Sequence, residues 1–242
     1  MKLQEIYNHL DKISSFELQE KWDNSGLIVG DLNRKVSQIV VSLDIDFSMI
    51  EEAKEGTLFV VHHPLIFAKL TQLDFAKYPS NLMEKMILKK QSCIALHTNF
   101  DQTHLNKYVF TKILGFTLES QNAFLCTAKG TWNYKALLNL IKEKLELPTL
   151  RVVGKKENIK SIALCTGSGA SLMDEVEADC FLTGDIKYHD AMKAMSEDLM
   201  MIDIGHYEPE KFFAQILIDE LKVLPILAII ANSKNPFHTE TY

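Results

Sequence analysis

The chain has 242 residues, of which 47% are apolar and 24% are charged, and its formal net charge is −6. This balance is typical of a globular protein and excludes a mainly disordered chain. With 10 Gly, 6 Pro and 4 Cys, it also excludes a collagen-like chain and a disulfide scaffold.

No export signal or membrane-spanning segment is expected. Residues 1–13 have apolar residues at helical spacing with charges between them, whereas a signal peptide needs an unbroken apolar stretch of about 7–15 residues. The longest apolar run, 223–231, has nine residues, and a membrane helix needs about 20. The absence of a CxxC pair favours the reducing cytoplasm. The acidic balance and the lack of a recognised motif make nucleic-acid binding an unfavoured role.

Helical and strand periods alternate along the chain. They predict helices at 3–13, 46–54, 80–90, 103–114, 133–146, 170–177, 188–195 and 209–221. Apolar, β-branched runs predict buried strands at 38–43, 57–61, 93–96, 161–165, 180–183, 199–204 and 225–230. This alternation predicts an α/β protein with mainly parallel sheets.

The predicted strands form two triplets in the same order, which indicates two similar α/β units packed as one compact protomer. In the first triplet, polar residues follow the strands at Asp44, at His62-His63 and at His97. In the second they follow at 166–169, at 183–185 and at 203–206. We expect the units to span 1–122 and 123–242, with the seam in the polar stretch 115–135.

Two imidazoles, His62 and His63, come directly after the predicted strand 57–61. Ligands of open α/β sheets bind beyond the carboxyl ends of the strands. Pro64 favours an extended His63, and adjacent extended side chains point to opposite sides. Each imidazole could therefore serve a different metal ion. A solvated pair of loop histidines is the alternative.

Two carboxylates and a third imidazole occupy similar places. Asp101 precedes the predicted helix 103–114, where it is either an ionised metal ligand or an ordinary N-cap. Pro209 predicts a helix start near 209, with His206 on the loop and Glu210 in the first turn. The alternatives are a loop histidine and an acid that meets the helix dipole. Together these groups suit a pair of divalent ions that share a carboxylate, and the lack of Cys argues against a thiolate zinc site.

Each of the other polar residues near the strand ends has two possible roles. His97 would contact the substrate or support a metal ligand from behind. His189 would line the cavity or start a helix. The turn at Gly167, Ser168 and Gly169 would cradle a phosphate or, since its glycine pattern is incomplete, form a plain tight turn.

Five stretches spread over nearly the whole chain resemble motifs of the Nif-three-like family, whose bacterial members carry the name GTP cyclohydrolase 1 type 2. They are 22–30 (WDNSGLIVG), 60–67 (VVHHPLIF), 97–101 (HTNFD), 183–189 (TGDIKYH) and 205–210 (GHYEPE). The resemblance implies that His62 and Asp101 bind one metal ion, that His63 and His206 bind a second, and that Glu210 bridges them. It also implies a homohexameric ring with the site facing the inner cavity.

The resemblance implies a dinuclear metal hydrolase with two divalent ions per subunit, of zinc, manganese or iron, and with GTP as the best specific substrate. Other nucleotides or phosphoesters are alternative substrates, and a non-catalytic ring that binds metal and protein partners is the alternative role. Two departures from the family pattern concern the substrate pocket: Pro209 replaces a small residue, and 102–106 (QTHLN) replaces a run of small residues and glycine. Neither departure removes a ligand.

Overall fold

The computed structural model describes residues 1–231, 233–238 and 240. Residue contacts divide the chain into two compact units. The first unit comprises Met1–Phe100 and Phe213–Lys234, and the second comprises Asp101–Phe212 and the end of the chain from Asn235. Each unit contains one β-sheet. The prediction of an α/β fold is confirmed.

The seven predicted strands are present in the predicted order. The strands are β1 (Gly26–Val29), β2 (Ile39–Ser42), β3 (Leu58–Val61), β4 (Ser92–Ala95), β5 (Ser120–Asn122), β6 (Leu125–Asn133), β7 (Arg151–Val153), β8 (Asn158–Leu164), β9 (Cys180–Thr183), β10 (Met200–Asp203) and β11 (Ala228–Ile230). Of these strands, β1, β5, β6 and β7 were not predicted. The α-helices are α1 (Leu3–Ile13), α2 (Phe47–Glu52), α3 (Ser80–Leu88), α4 (Thr98–Phe100), α5 (Asn106–Tyr108), α6 (Tyr134–Lys144), α7 (Tyr188–Ser196), α8 (Tyr207–Glu210) and α9 (Phe213–Leu221). None of these helices is long and apolar enough to cross a bilayer.

The sheet of the first unit has five strands in the order β1-β4-β3-β2-β11. Strands β4, β3, β2 and β11 are parallel, and β1 pairs with β4 in the antiparallel direction. Every residue of β2, β3 and β4 is buried, as expected for parallel strands that are covered on both faces. Because these strands are parallel, their carboxyl ends lie at one edge of the sheet.

The sheet of the second unit has six strands in the order β5-β6-β8-β9-β10-β7. Its centre, β8-β9-β10, is parallel, whereas β5, β6 and β7 join it by antiparallel pairing. The sequence did not predict β5, β6 or β7. Much of β5 and β6 is polar or exposed, and a register shift interrupts β6 near Gly130, so neither has the apolar run of a buried strand.

The contact units do not coincide with the halves 1–122 and 123–242. Residues 122 and 123 lie at the hairpin between β5 and β6, inside one sheet. The stretch 115–135 also holds buried residues such as Leu125 and Cys126. At the other end, β11 pairs in parallel with β2, so the last strand belongs to the first unit.

Two helix starts differ from the prediction. Helical turns begin at Thr98 and continue as a π-helical stretch over Asp101–Leu105, so Asp101 lies within helical backbone and is not an N-cap. Helix α8 begins at Tyr207, before the predicted 209. Pro209 lies in the first turn of α8. The N–H groups of a first turn have no acceptor within the helix, so a proline there breaks no helical hydrogen bond.

Candidate metal centre

Three histidines of the first unit meet beyond the carboxyl ends of β3 and β4. One ring nitrogen from each of His62, His63 and His97 lies within 4.8 Å of those of the other two. The ring centroid of His62 is 5.0 Å from that of His63 and 5.1 Å from that of His97. This cluster could hold a metal ion.

The expectation that His62 and His63 point to opposite sides is wrong, because their rings converge. Strand β3 ends at Val61, and the N–H groups of both histidines donate to the carbonyl of Leu43 at 3.1 Å. Because the N–H groups of two successive residues share the Leu43 carbonyl, the backbone bends at His62 and His63 and is no longer extended there. The alternation of a strand therefore no longer applies at these positions.

Each of the three imidazoles is held through Nδ1. His62 Nδ1 donates to the carbonyl of Leu96 at 2.8 Å. His63 Nδ1 lies 2.8 Å from the Asp44 carboxylate, and His97 Nδ1 lies 2.7 Å from the Asp23 carboxylate. These oxygens accept hydrogen bonds, so Nδ1 is the donor in each case, and in the neutral tautomer Nε2 is then the nitrogen that can bind a metal ion. Such support from behind is typical of histidines that bind metal ions.

The carboxylate behind His97, that of Asp23, is at the centre of a hydrogen-bond network. It accepts from the Thr98 N–H at 3.1 Å, from the Thr98 hydroxyl at 2.5 Å and from the Ser25 hydroxyl at 3.0 Å. Burial raises the pKa of Asp23, but the hydrogen bond and charge of His97 and the hydrogen bond of Thr98 outweigh burial and hold this pKa well below its usual range. Asp23 therefore stays ionised and orients His97.

Sequence analysis missed the role of Asp23. The residue belongs to the quoted stretch 22–30, but 74 positions separate it from His97. No local pattern links residues so far apart.

In the second unit, His206 and Glu210 form a pair of metal-ligand type. His206 Nε2 lies 3.1 Å from Glu210 Oε2, and the Glu210 side chain is only 4% exposed. Two ligand atoms on one tetrahedral zinc ion, each at about 2.0–2.1 Å, are about 3.3 Å apart. The His206–Glu210 spacing therefore suits two ligands of a single ion.

The histidines after β3 and β10 are supported in the same way. Nδ1 of His206 lies 2.8 Å from Asp185, which follows β9, just as Nδ1 of His63 lies 2.8 Å from Asp44, which follows β2. In each case an aspartate beyond one parallel strand binds a histidine beyond the next strand. Sequence analysis placed both aspartates at strand ends but did not pair them with the histidines.

Asp101 is buried and lies in the same unit as Glu210. Burial raises the pKa of the Cys165 thiol well above its usual value, and the charges of Asp101 and Glu210 raise it further. Both carboxylates therefore act on one buried thiol, which indicates that they lie in the same region of the second unit.

The turn at Gly167 makes room for Glu210. Gly167 has a φ of +62°, and a Cβ there would overlap Glu210 Oε1 and lie 3.8 Å from His206 Cε1. The nearby Gly169 N–H donates to the Thr183 hydroxyl at 2.9 Å. The structure therefore brings this turn against the carboxylate of Glu210, and the Gly169 amide already has an acceptor.

His189 belongs to none of the candidate metal-binding groups of the described residues. It is exposed in the first turn of α7, and its ring centroid is 5.4 Å from that of Tyr188.

Comparison with known proteins identifies the family. The model of the Duf34/NIF3 family (NGG1p interacting factor 3) matches residues 1–236. The chain belongs to this family. The resemblance found in the sequence is thereby confirmed. Membership in this family accounts for the motifs that are spread from Trp22 to Glu210.

Relatives of this Duf34/NIF3 protein match it over nearly their full length. A Campylobacter jejuni protein named "GTP cyclohydrolase 1 type 2 homolog" is 48% identical over 239 residues, which cover 98% of this chain and 99% of that protein. A Helicobacter pylori protein named "GTP cyclohydrolase 1 type 2" is 41% identical over 97% of each chain. The crystal structure of a Staphylococcus aureus hypothetical protein superposes with a TM-score of 0.86 at 26% identity, over 99% of both chains.

Proposed function

We propose that this Duf34/NIF3 protein is a divalent-metal-dependent hydrolase that acts on GTP. One observation carries the proposal: His62, His63, His97 and His206 each have Nδ1 at hydrogen-bond distance from an oxygen acceptor, an orientation typical of histidines that bind a metal ion through Nε2. The names of the Campylobacter and Helicobacter relatives, which refer to GTP cyclohydrolase, support GTP as the substrate.

The proposed metal ligands are the imidazoles of His62, His63 and His206 and the carboxylates of Asp101 and Glu210. In this proposal His62 and Asp101 serve one ion, His63 and His206 serve the other, and Glu210 bridges them. A mixed set of nitrogen and oxygen donors suits zinc, manganese or iron. When bound, divalent ions would activate water at neutral pH and polarise the group that the water attacks.

His97 is the proposed proton carrier. Its side chain is 14% exposed, whereas that of Asp23 behind it is fully buried. Neutral His97 can accept a proton at Nε2, and the ionised Asp23 carboxylate stabilises the cation that results. The proposed net reaction converts GTP and water into formate and 7,8-dihydroneopterin triphosphate.

Turnover of GTP by protein loaded with zinc, manganese or iron tests the proposal. Formate release and pterin fluorescence after oxidation are the readouts, with metal content measured on the same samples. His63→Ala is the test variant, and His238→Ala, which removes an exposed imidazole, is the matched control. We expect His63→Ala to lose both metal and turnover and His238→Ala to keep both. Full turnover by metal-free His63→Ala would overturn the proposal.

A second variant separates proton transfer from metal binding. We expect His97→Ala to keep its metal and to lose turnover by about 100-fold or more. Loss of metal together with turnover would make His97 a metal ligand instead of a proton carrier.

We also propose that the protein works as a homohexameric ring, as the resemblance implies, and in the cytoplasm, as its cysteine pattern favours. Light scattering of the purified protein should then give six times the subunit mass of 27.6 kDa. A monomer at micromolar concentration would contradict the ring without affecting the proposed chemistry.

A further inference from the structure

Two exposed aromatic side chains stand beside His97, and the proposed metal chemistry uses neither. Trp22 is 59% exposed and Phe67 is 57% exposed. Their ring centroids are 5.8 Å apart, and they lie 6.1 Å and 5.9 Å from that of His97. The three rings therefore form a triangle of nearly equal sides at the edge of the histidine cluster.

Hydrogen bonds hold both aromatic residues in place through their neighbours in the chain. Asp23, next to Trp22, binds His97. Asn24 donates from Nδ2 to the carbonyl of Ile66, next to Phe67, at 2.6 Å. The segments that carry the two rings are thus tied to each other and to His97. A surface fixed in this way loses little conformational entropy when a ligand binds.

The two rings do not cover each other. Their planes are tilted by 53°, and each meets the His97 ring nearly edge-on, at 78° for Trp22 and 76° for Phe67. More than half of each side chain therefore stays open to solvent. Large apolar groups that are exposed beside polar ones are typical of binding sites. Indole and phenyl faces bind flat heteroaromatic rings by stacking, whatever the base.

We propose that Trp22 and Phe67 form the stacking site for the base of a purine nucleotide. This inference rests on the proposed function, because it places the base of the substrate next to the proposed proton carrier His97. Stacking does not distinguish the purines, so any preference for guanine must come from hydrogen bonds elsewhere. The contribution of stacking to binding should therefore be similar for GTP and ATP.

Tryptophan fluorescence reports on this site directly, since the chain has only two tryptophans, Trp22 and Trp132. In the metal-loaded Trp132→Phe protein, Trp22 is the single indole. We expect GTP to quench its fluorescence saturably, because a stacked purine quenches indole emission. Adding Phe67→Ala should raise the Kd for GTP about tenfold. Phe75→Ala, which removes a 47% exposed aromatic ring from the same part of the chain, is the matched control and should not change it.

Equilibrium dialysis with radiolabelled GTP extends the test to Trp22 itself. We expect Trp22→Ala to bind GTP about tenfold more weakly at unchanged metal content. If that variant does not fold, Phe67→Ala in the wild-type background takes its place. Absence of quenching, or an unchanged Kd in both variants, would overturn the stacking site.

The outcomes also separate this inference from the proposed function. Formate release by wild-type protein, together with no quenching of Trp22 in the Trp132→Phe protein, would support the hydrolase and overturn the stacking site. Saturable quenching that Phe67→Ala weakens and Phe75→Ala does not weaken would support the stacking site, with or without formate release. If no formate is released, the proposal that the protein hydrolyses GTP is overturned.

Discussion

Asp185 accepts a hydrogen bond from Nδ1 of His206 at 2.8 Å, across the carboxyl ends of the neighbouring parallel strands β9 and β10. The bond leaves His206 Nε2 facing Glu210 Oε2 at 3.1 Å. Asp44 and His63 repeat the arrangement in the first unit at the same distance. A carboxylate behind an imidazole fixes its tautomer and makes its free nitrogen more basic, which strengthens a metal bond.

Asp185→Asn should weaken metal binding about 10–100-fold. Asp185 has a φ of +53°, and Asn tolerates this left-handed conformation better than most residues. The substitution therefore removes the charge without straining the loop. Titration against a competing chelator measures the affinity. Asp174→Asn, which breaks an exposed pair with Lys193, should leave it unchanged. Equal affinities for all three proteins would show that Asp185 does not support a ligand.

Gly167→Ala should lower the metal content of the protein by more than its loss of stability explains. The added methyl group would overlap Glu210 Oε1 and displace this carboxylate. Gly115 is the matched control, because its φ of +76° is also left-handed but no heavy atom lies within 4 Å of the place that a Cβ would take. Both substitutions should lower the free energy of unfolding by about 1–2 kcal/mol.

Elemental analysis of the two glycine variants then isolates the contact with Glu210. We expect a full complement of metal in Gly115→Ala and a clear deficit in Gly167→Ala. The same metal content in both would mean that Glu210 can move aside without loss of binding.

Asp23→Asn should lower the free energy of unfolding by roughly 1–3 kcal/mol at pH 7, since it removes a buried acceptor of several hydrogen bonds. The folded-state pKa of Asp23 lies below its ordinary value of about 3.9. Its contribution to stability is therefore fully present above the unfolded pKa and is lost as the pH falls through the folded pKa.

The stability difference between wild type and Asp23→Asn should thus shrink as the pH falls from about 5 to about 3.5. Urea unfolding at pH 7, 5 and 3.5 measures it. Glu55→Gln, which removes an exposed partner of Lys90, should not change stability measurably. A stability difference that grows between pH 5 and 3.5 would have the wrong sign for an ionised Asp23.

The four cysteines should react slowly with thiol reagents in the native protein. All four are buried, and burial raises the pKa of Cys93, Cys126 and Cys180 to about 12. Reaction requires the thiolate, which is scarce at such pKa values. With Ellman's reagent at pH 8, we expect almost no reaction in the native state and four equivalents in guanidinium chloride. A native thiol that reacts as fast as free cysteine would contradict the burial described.

The sequence alone predicted the strands that are buried on both faces. Strands β2, β3, β4 and β9 are short apolar runs whose residues are all buried, so composition is enough to find them. Strands β1, β5 and β7 lie at sheet edges and pair in the antiparallel direction. Strands β1 and β7 pair with β4 and β10, which are distant in the sequence, so no local run of residues records these neighbours. Strand β5 is polar and pairs with β6 across a hairpin, so it lacks the apolar run of a buried strand.

The candidate site also has residues that the sequence predicted and contacts that only the structure shows. His62, His63, His97 and His206 could be found from the sequence because each follows a strand within three residues, and Glu210 because it follows His206 closely. Only the tertiary structure decided what supports them: Asp23 behind His97 across 74 positions, Asp44 behind His63, and Gly167 against Glu210. Local chain geometry determines where a strand ends, whereas the contacts of a side chain depend on which strands become neighbours in the sheet.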